Sequence, residues 1–465
     1  MKRTLAIAFI AILCLSMFSA YAPKVIAQQS SADWPMFLND SAHTGATTNT
    51  GPTKPVKLWS YVEGHFDGSA IGSSAAIVNG VVYVGTNWNN SLYPLYNNGN
   101  SGNIYAFNAY TGAKIWNYST DSAVYSSPAV SGNMLFIGVD DNVCAFNAST
   151  GVKIWSYATG GQINSSPDVV NGVVYIGSKD NNAYALNAST GAKIWNYTTR
   201  GAVESSPAVV NEVVYVGSDD GNVYALNALT GAKIWNYTTS NQPLWSFSNQ
   251  VTSSPAVSGG IVYVGSVGGN VYALNASTGA KIWNCFTNPS SFDGGGYLHG
   301  VQASPTVTNG VVYVGTVDGN MYALNASTGK QIWEDNIFRV LSSAAVTDGV
   351  VYVGGYDDVY ALNATTGSQI WDFPTQNQII SSPAVFNGVV YIGSQDGNFY
   401  AIGKPSPNVF IIVGAIAAVV IVVAAVVFLM FQKRLKTKPI SPAPTPQNYT
   451  AVSSVQPLKS YRNKD

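Results

Sequence analysis

One stretch of the chain, Ser205–Tyr237, reads SSPAVVNEVVYVGSDDGNVYALNALTGAKIWNY and recurs with small changes along most of the sequence. Its tryptophan marks every copy, at intervals of 57, 39, 40, 40, 48, 50 and 38 residues. These tryptophans are Trp59, Trp116, Trp155, Trp195, Trp235, Trp283, Trp333 and Trp371. Self-similarity at such a period is typical of repeat architectures, in which each copy is one structural unit. The chain therefore contains eight such units.

Each copy predicts four short β-strands: Ser-Pro-Ala-Val, Val-Val-Tyr-Val-Gly, Val-Tyr-Ala-Leu-Asn and Lys-Ile-Trp. Turn-forming Asn-Gly, Asp-Gly-Asn and Ser-Thr-Gly sequences separate them, and they are rich in Val, Ile, Tyr and Trp. The first strand carries proline in six copies, at positions 128, 167, 207, 255, 305 and 383. Because proline cannot donate to a strand ladder, we expect this first strand to be an edge.

Four-stranded units repeated about every 40 residues are typical of a β-propeller, whose radial closure leaves only short edges. The first Lys-Leu-Trp (57–59) precedes any complete copy, whereas Asn-Phe-Tyr-Ala (398–401) is followed by no tryptophan strand. We therefore predict an all-β, eight-bladed propeller over residues 57–403. Its N-terminal strand, around Lys57–Tyr61, completes the last blade by pairing with residues 398–402.

The two ends of the chain predict export and membrane anchoring. Residues 1–27 carry Lys2 and Arg3, then an apolar run and small residues, which is the layout of a signal peptide. A segment over residues 28–56 leads into the propeller, and a linker (404–408) leaves it. Residues 409–431 are an uncharged apolar run that is long enough to span about 30 Å of hydrocarbon as a transmembrane helix.

The basic residues directly after that run place the tail, residues 432–465, in the cytoplasm by the positive-inside rule. The propeller is then extracytoplasmic on a single-pass membrane protein. The tail, rich in Pro, Ser and Gln beyond its basic start, is expected to be disordered.

Composition limits the partners. Only 10% of the residues are charged and the formal net charge is −1, so the basic field that nucleic-acid binding needs is missing. Cys14 leaves with the signal peptide, and Cys144 and Cys285 fall in different copies, so no disulfide is expected. His43, His65 and His299 are isolated in sequence, which does not predict a zinc site.

The repeated motif Ala185-Leu-Asn187-Ala-Ser-Thr190-Gly191-Ala-Lys-Ile-Trp195 resembles the pattern of the pyrroloquinoline-quinone (PQQ) repeat family. Close forms recur at 106–116, 145–155, 225–235, 273–283, 323–333 and 361–371. The opening Asp33-Trp34-Pro35-Met36-Phe37 also resembles the start of such propellers. The resemblance spans residues 33–403 and implies that the eight tryptophans dock blades together rather than stack on a cofactor.

The family contains two functional classes. Quinoprotein dehydrogenases hold PQQ and Ca²⁺ in the channel with a catalytic aspartate and commonly a vicinal Cys-Cys ring, and they oxidise alcohols or sugars. Other members, such as the lipoprotein of the outer-membrane assembly machinery, are non-catalytic scaffolds. This sequence has no vicinal cysteines, and the acidic residues near its first strands, Asp168, Glu204 and Asp348, are scattered. Since Ca²⁺ needs several converging oxygen ligands, we predict no catalytic, cofactor-binding or metal-binding residue.

One face of the propeller is expected to bind a partner. The loop between strands 2 and 3 and the loop between blades emerge on the same face of an antiparallel blade. The irregular lengths fall in those loops, at 86–103, 239–250 and 284–302, and aromatic side chains there suit recognition. The candidates are Trp88, Tyr93, Tyr96, Trp245, Phe247, Phe292, Tyr297 and His299. The alternative is that these aromatics pack onto the rim.

Aspartates of the Asp-Gly-Asn turns lie on the same face, and we interpret them as turn residues rather than as a cation-binding ring. Many Asn-x-Ser/Thr sequons predict a glycoprotein. The sequence thus predicts a membrane-anchored scaffold that binds a protein or a cell-surface glycan and catalyses nothing. The alternative function is a PQQ- and Ca²⁺-dependent dehydrogenase.

Overall fold

The structure, a computed structural model, describes residues 33–62, 69–88, 101–239, 250–287, 300–337 and 339–404. The predicted signal peptide, transmembrane helix and tail lie outside these residues. Within them, no helix is long and apolar enough to cross a membrane.

Eight antiparallel four-stranded sheets form the blades, which confirms the predicted eight-bladed propeller. Blades 1 and 2 are Ala76–Val78, Val81–Gly85, Gly102–Asn108, Lys114–Thr120 and Ala129–Ser131, Met134–Val139, Asn142–Asn147, Lys153–Ala158. Blades 3 and 4 are Asp168–Val170, Val173–Ser178, Asn182–Asn187, Lys193–Thr198 and Ala208–Val210, Val213–Gly217, Asn222–Asn227, Lys233–Thr238.

Blades 5 and 6 are Ala256–Ser258, Ile261–Gly265, Asn270–Asn275, Lys281–Phe286 and Thr306–Thr308, Val311–Gly315, Asn320–Asn325, Gln331–Asn336. Blades 7 and 8 are Ala345–Thr347, Val350–Gly354, Asp358–Asn363, Gln369–Pro374 and Ala384–Phe386, Val389–Gly393, Asn398–Gly403, Lys57–Val62. A short extra pair, Ser69–Ala70 with Asn87–Trp88, was not expected from the sequence.

The first strand of each blade lies innermost. First strands of neighbouring blades contact one another around the axis, and within its sheet each pairs with the second strand of its own blade. In blades 2 to 6 and in blade 8 these strands begin directly after the repeated proline rather than containing it, so the proline removes no ladder hydrogen bond. The second and third strands are buried on both faces, whereas the outer strand alternates between exposed and buried side chains.

The N-terminal strand closes the last blade. Lys57–Val62 pairs antiparallel with Asn398–Gly403, with Trp59 opposite Ala401 and Val62 opposite Asn398. The start and the end of the propeller therefore belong to one sheet.

Each outer-strand tryptophan joins its blade to the next. The indole N–H of Trp195 donates to the backbone oxygen of Ala228, at 2.8 Å, and Trp155 makes the same bond to Ala188 at 2.9 Å. All eight tryptophans make this bond, the last, Trp371, to Pro52. The glycine of the Thr-Gly turn lies under the indole: a Cβ at Gly231, where φ is +71°, would lie 2.7 Å from Trp195.

A closed ring of eight serines surrounds the axis. The backbone N–H of each serine donates to the Oγ of the equivalent serine in the next blade, over 2.8–3.1 Å. The ring consists of Ser74, Ser127, Ser166, Ser206, Ser254, Ser304, Ser343 and Ser382, and the bond from Ser382 to Ser74 closes it. This is the second serine of the repeated Ser-Ser pair, and it satisfies a buried amide that no strand ladder reaches.

The segment that leads into the propeller makes one turn around the axis. Backbone atoms of Trp34, Pro35, Ser41, Ala42, Thr44 and Gly45 bond in blade order to the first strands of blades 1, 2, 4, 5, 6 and 7. Asn49 reaches blade 8 through its side-chain amide, which donates to Val385 O over 3.4 Å. Three residues of this segment, Trp34, Leu38 and His43, are each only 1% exposed. The segment covers one end of the channel.

Candidate functional site

The propeller has two faces, which differ in their hydrogen bonds. On the turn face, the turn between strands 3 and 4 bonds to the turn between strands 1 and 2, as Ala228 N does to Glu212 O. On the loop-rich face, the loop after strand 2 bonds to the connection from the preceding blade, as Asp219 N does to Ala202 O. The segment around the axis meets the first strands at their turn-face ends, so the loop-rich face holds the other end of the channel.

Both long insertions between blades start and end on the loop-rich face. The insertion after blade 4 is held by Thr239 N bonding to Gly221 O and Val251 N bonding to Ser218 O. The insertion after blade 5 is held in the same way by Thr287 N on Gly269 O and Val301 N on Ser266 O. The predicted partner-binding residues Tyr93, Tyr96, Trp245, Phe247, Phe292, Tyr297 and His299 lie outside the described residues. Of Trp88 only the backbone is described, paired with Ser69 in the extra strand pair on this face.

The channel mouth on the loop-rich face is formed by the residue that precedes each Ser-Ser or equivalent pair. All eight are half-buried: Gly72, Tyr125, Asn164, Glu204, Thr252, Gln302, Leu341 and Ile380. Blades 3 to 6 contribute polar side chains, blades 7 and 8 contribute leucine and isoleucine, and blades 1 and 2 contribute glycine and tyrosine. Neighbours touch around the ring, since Asn164 Nδ2 donates to Glu204 Oε2 over 3.4 Å and a Cβ on Gly72 would lie 2.8 Å from Ile380. The mouth is therefore polar on one side and apolar on the other.

The charge at the mouth is concentrated at blades 3 and 4. Lys179 Nζ lies 3.0 Å from Glu204 Oε1. Burial, together with the charge of Glu204, raises the pKa of Asp219 to about 6, against the opposing effect of Lys179. Asn164 Oδ1, Thr252 Oγ1 and Asp219 Oδ1 are buried atoms without a hydrogen-bond partner among the described residues. This side of the mouth could accept hydrogen bonds from a ligand or from water.

The three acidic residues singled out in the sequence lie apart. Asp168 is fully buried in the first strand of blade 3, where its Oδ2 accepts a hydrogen bond from Val209 N at 3.1 Å. Glu204 is at the mouth, and Asp348 occupies a turn-face turn with φ of +52°. Within the described ranges, no group of three or more His, Cys, Asp or Glu side chains could hold a metal ion. These residues do not supply the converging oxygens that a calcium-held quinone requires.

Aspartates of the loop-rich face hold their own turns. Asp180 Oδ1 accepts a hydrogen bond from Asn182 N at 3.0 Å, and its Oδ2 accepts from Gly160 N at 2.8 Å and from the Tyr184 hydroxyl at 2.5 Å. Asp220 and Asp396 make the same set. Burial acts to raise the pKa of Asp180, but the bonds from Tyr184, Gly160 and Asn182 prevail and lower it. Each aspartate thus ties a blade to the preceding connection.

At the covered end of the channel, three titratable groups lie in a buried setting. Burial lowers the pKa of His43 to about 4, so the ring is neutral at neutral pH. Its Nδ1 donates to Pro255 O at 3.1 Å. Burial raises the pKa of Asp40 despite hydrogen bonds from Thr44 and Ala42. Burial also raises the pKa of Asp168 well above its usual value, and the nearby Asp40 adds to this. Sequence reasoning missed this cluster because no repeated motif marks it.

The comparisons with known proteins agree with the fold. The sequence model of the outer membrane protein assembly factor BamB family matches residues 42–167, 160–290, 239–341 and 338–405. No curated protein sequence is significantly similar to the chain.

Several solved structures share the architecture. BamB from Moraxella catarrhalis is 20% identical with a TM-score of 0.59, and the match covers 76% of this chain and 98% of that one. A europium-containing methanol dehydrogenase is 16% identical with a TM-score of 0.65, covering 82% and 99%. The quinohemoprotein alcohol dehydrogenase from Comamonas testosteroni is 16% identical with a TM-score of 0.65, covering 81% of each chain.

At these identities the solved structures support the fold alone, and they include both functional classes. The family match covers most of the chain and all eight blades. The chain therefore belongs to the PQQ-repeat β-propeller family that is represented by the outer membrane protein assembly factor BamB.

Proposed function

We propose that this protein is a non-catalytic scaffold that binds another protein through the loop-rich face of its propeller. The predicted C-terminal helix anchors it in the membrane with the propeller outside the cytoplasm. The family's assembly factor supports a protein as the partner, in preference to the cell-surface glycan that the sequence also allowed.

One observation carries the proposal: both long insertions between blades are rooted on the same face. The turn face is repeated almost without change from blade to blade, and its end of the channel is covered by residues 34–49. Among the described residues, the mouth on the loop-rich face has buried polar atoms without hydrogen-bond partners, and the aromatic insertions are rooted on this face. Loops on a rigid scaffold are the usual place for binding residues.

The acidic residues support a role without catalysis. Asp168 is buried and bonded to a backbone amide, Glu204 is paired with Lys179, and Asp348 lies on the other face. A dehydrogenase of this family would need such groups together at one point.

The experiment is a matched pair of replacements in the full chain, purified from its native membrane. One variant replaces residues 240–249 and 288–299 with Gly-Ser segments of equal length. The control changes exposed turn-face residues Ser189, Leu229 and Ser277 together. We expect the first variant to lose its co-purifying protein and the control to keep it. Equal retention in both variants would contradict the proposal.

The second candidate function is a quinone-dependent dehydrogenase, favoured by the charged cluster of Lys179, Glu204 and Asp219 at the mouth. Titration of the full chain in detergent with PQQ and Ca²⁺ separates the two, with quinone absorbance and melting temperature as readouts. Stoichiometric binding that raises the melting temperature would establish the dehydrogenase class. We expect no saturable binding at high micromolar cofactor.

A further inference from the structure

The interface between blades 1 and 2 contains a cavity. Comparison with the other blade interfaces shows which side chain is missing there. It has a volume of about 210 Å³, and its wall includes Tyr118 and Ser122 of blade 1 and its following connection, and Asp140, Cys144 and Phe146 of blade 2. It lies beside the connection from blade 1 to blade 2, where Val124 N donates to Thr86 O at 3.1 Å.

The cavity occupies the place of a ring that blade 2 lacks. At the position of Cys144, the other seven blades carry tyrosine: Tyr105, Tyr184, Tyr224, Tyr272, Tyr322, Tyr360 and Tyr400. At the next interface, Tyr184 packs against Tyr157 of the preceding blade with ring centroids 5.9 Å apart. The pairs Tyr197–Tyr224 and Tyr237–Tyr272 repeat this at 5.5 and 5.7 Å. Tyr118, the equivalent of Tyr157, packs edge-on against Phe146 instead, with ring centroids 4.9 Å apart.

The hydroxyl of the missing tyrosine would also have a hydrogen-bond acceptor nearby. Tyr184 donates to Asp180 Oδ2 at 2.5 Å, and Tyr224 donates to Asp220 Oδ2 at 2.6 Å, each to the aspartate four residues earlier. The residue four positions before Cys144 is Asp140, which lines the cavity and whose Oδ2 accepts a long bond, 3.5 Å, from Ser122 Oγ. The turn that carries Asp140 is one residue shorter than the turn that carries Asp180.

Phe146 lines the cavity while its ring contacts Tyr118. Other blades have Leu or Ile at this position, except blade 1, which has Phe107. At the interface between blades 8 and 1, the ring of Tyr61 from blade 8 packs on both Tyr105 and Phe107 of blade 1, with centroids 5.1 and 4.7 Å away. A phenol ring and a phenylalanine therefore fit side by side at a blade interface of this protein.

We propose that the cavity between blades 1 and 2 is a binding site for a small phenol, which packs on Tyr118 beside Phe146 with its hydroxyl donating to Asp140. The aromatic walls supply ring contacts of the kind seen at the sibling interfaces. A cavity of about 150 Å³ is known to accept benzene, so the space is sufficient. Cys144 lies at the end opposite the hydroxyl, where its own Cβ takes the place of the tyrosine Cβ, so the ligand carries no para substituent.

Binding is non-covalent. Burial raises the pKa of the Cys144 thiol to about 11, against an opposing effect of Lys153, so the thiol stays protonated at neutral pH and is a poor nucleophile. The site commits to a free phenol rather than to a tyrosine side chain of a partner, because a peptide backbone on the para carbon would meet Cys144.

The test is fluorine NMR of m-fluorophenol with the full chain in detergent. In Cys144→Tyr, a tyrosine ring of the chain itself fills the cavity. The same variant in the same micelles serves as the control for m-fluorophenol that partitions into the detergent. We expect saturable binding in the wild type, competition by phenol, no competition by p-cresol or by N-acetyltyrosinamide, and loss of saturable binding in Cys144→Tyr together with a raised melting temperature. Equal signals in wild type and Cys144→Tyr would overturn the proposal.

Two further variants keep the test decisive should Cys144→Tyr fold poorly. Tyr184→Cys opens the equivalent cavity beside Asp180 and is expected to create a second saturable site, and failure to do so would count against the proposal. Asp140→Ala is expected to weaken m-fluorophenol about tenfold, as loss of a hydrogen bond to a charged group implies. It should leave fluorobenzene unchanged, and an equal effect on both ligands would overturn the placement of the hydroxyl.

Discussion

The turn face and the loop-rich face are made by the same repeat, yet they differ in how much variation they accept. On the turn face, the tryptophan docking bond recurs in all eight blades, and residues 34–49 pass over the ends of the first strands. On the loop-rich face, the aspartate set of blades 3, 4 and 8 is absent from blades 5 and 6, whose tyrosines bond to backbone oxygens instead. The bonds between blades are uniform on the turn face, whereas on the loop-rich face they differ from blade to blade. Stability and binding should therefore respond to changes on different faces.

The largest expected effect comes from the docking tryptophan. Trp195 is 7% exposed, packs 6.0 Å from the Tyr175 ring, and donates to Ala228 in the next blade. We expect Trp195→Ala to lower the free energy of unfolding by about 3–5 kcal/mol. Urea denaturation measures this, with Ile194→Ala, at a neighbouring residue that is 47% exposed, as the control. If the two variants lost equal stability, the docking role would be wrong. Partner binding by folded Trp195→Ala should be unchanged.

The buried histidine predicts a pH dependence of the segment around the axis. The folded-state pKa of His43 is about 4, below its ordinary 6.5. At a pH between these two values, His43 is therefore protonated in the unfolded chain and neutral in the folded one. The stability that neutral His43 contributes is therefore complete above pH 6.5 and is lost as the pH falls toward 4, by at most about 3 kcal/mol. His43→Asn keeps a donor for Pro255 and should remove this dependence.

Asp40 and Asp168 face the same space, and their raised pKa values have the opposite sign, favouring the fold at low pH and losing that contribution as pH rises. Because both remain in His43→Asn, the difference between the two melting profiles isolates the histidine. Parallel profiles across pH 4 to 6.5 would show that His43 does not titrate as we describe.

The serine ring predicts a smaller loss. Ser166→Ala leaves the buried N–H of Ser127 without its acceptor, which we expect to cost about 1–3 kcal/mol. Ser165→Ala is the control, since blade 6 already has Ala303 at that position. In thermal unfolding, Ser166→Ala should have a lower melting temperature than Ser165→Ala. The reverse order would mean that the serine ring stabilises the fold less than the hydrogen bond that Ser165 Oγ accepts from Gly177 N inside the blade.

The smallest expected effect is on the loop-rich side. Tyr184→Phe removes the hydroxyl that donates to Asp180, while Gly160 N and Asn182 N continue to donate to that carboxylate. We expect a loss of about 1 kcal/mol and a rise in the pKa of Asp180. NMR titration of the carboxyl carbon checks the pKa, and an unchanged value would show that the hydroxyl does not stabilise the charged form.

The fold could be predicted from sequence because its determinants are periodic. Tryptophan spacing, strand composition and the unpaired last strand were enough for eight blades and for their closure. The serine pair is equally periodic, but its second member acts between blades, and strand patterns do not reveal that. The segment over residues 34–49 has no periodicity, and its bonds, such as His43 to Pro255, join residues 212 positions apart.

The candidate site was predicted only in outline. Antiparallel strand order was sufficient to place the insertions on one face, and the structure describes their roots there. The mouth ring was missed, although its signal is present: the residue before each serine pair changes from polar in blades 3 to 6 to apolar or glycine in most of the others. The substitution of Cys144 for tyrosine was visible in sequence, but the cavity that it leaves depends on packing between blades.

The most direct test of the central claim compares the two faces by photo-crosslinking in intact cells. A benzophenone amino acid is placed at exposed Gln376 on the loop-rich face or at Leu229, which is 65% exposed on the turn face. The account predicts a discrete crosslinked protein from position 376 and none from position 229. Crosslinking from position 229 alone, or equally from both, would contradict a scaffold that binds through its loop-rich face.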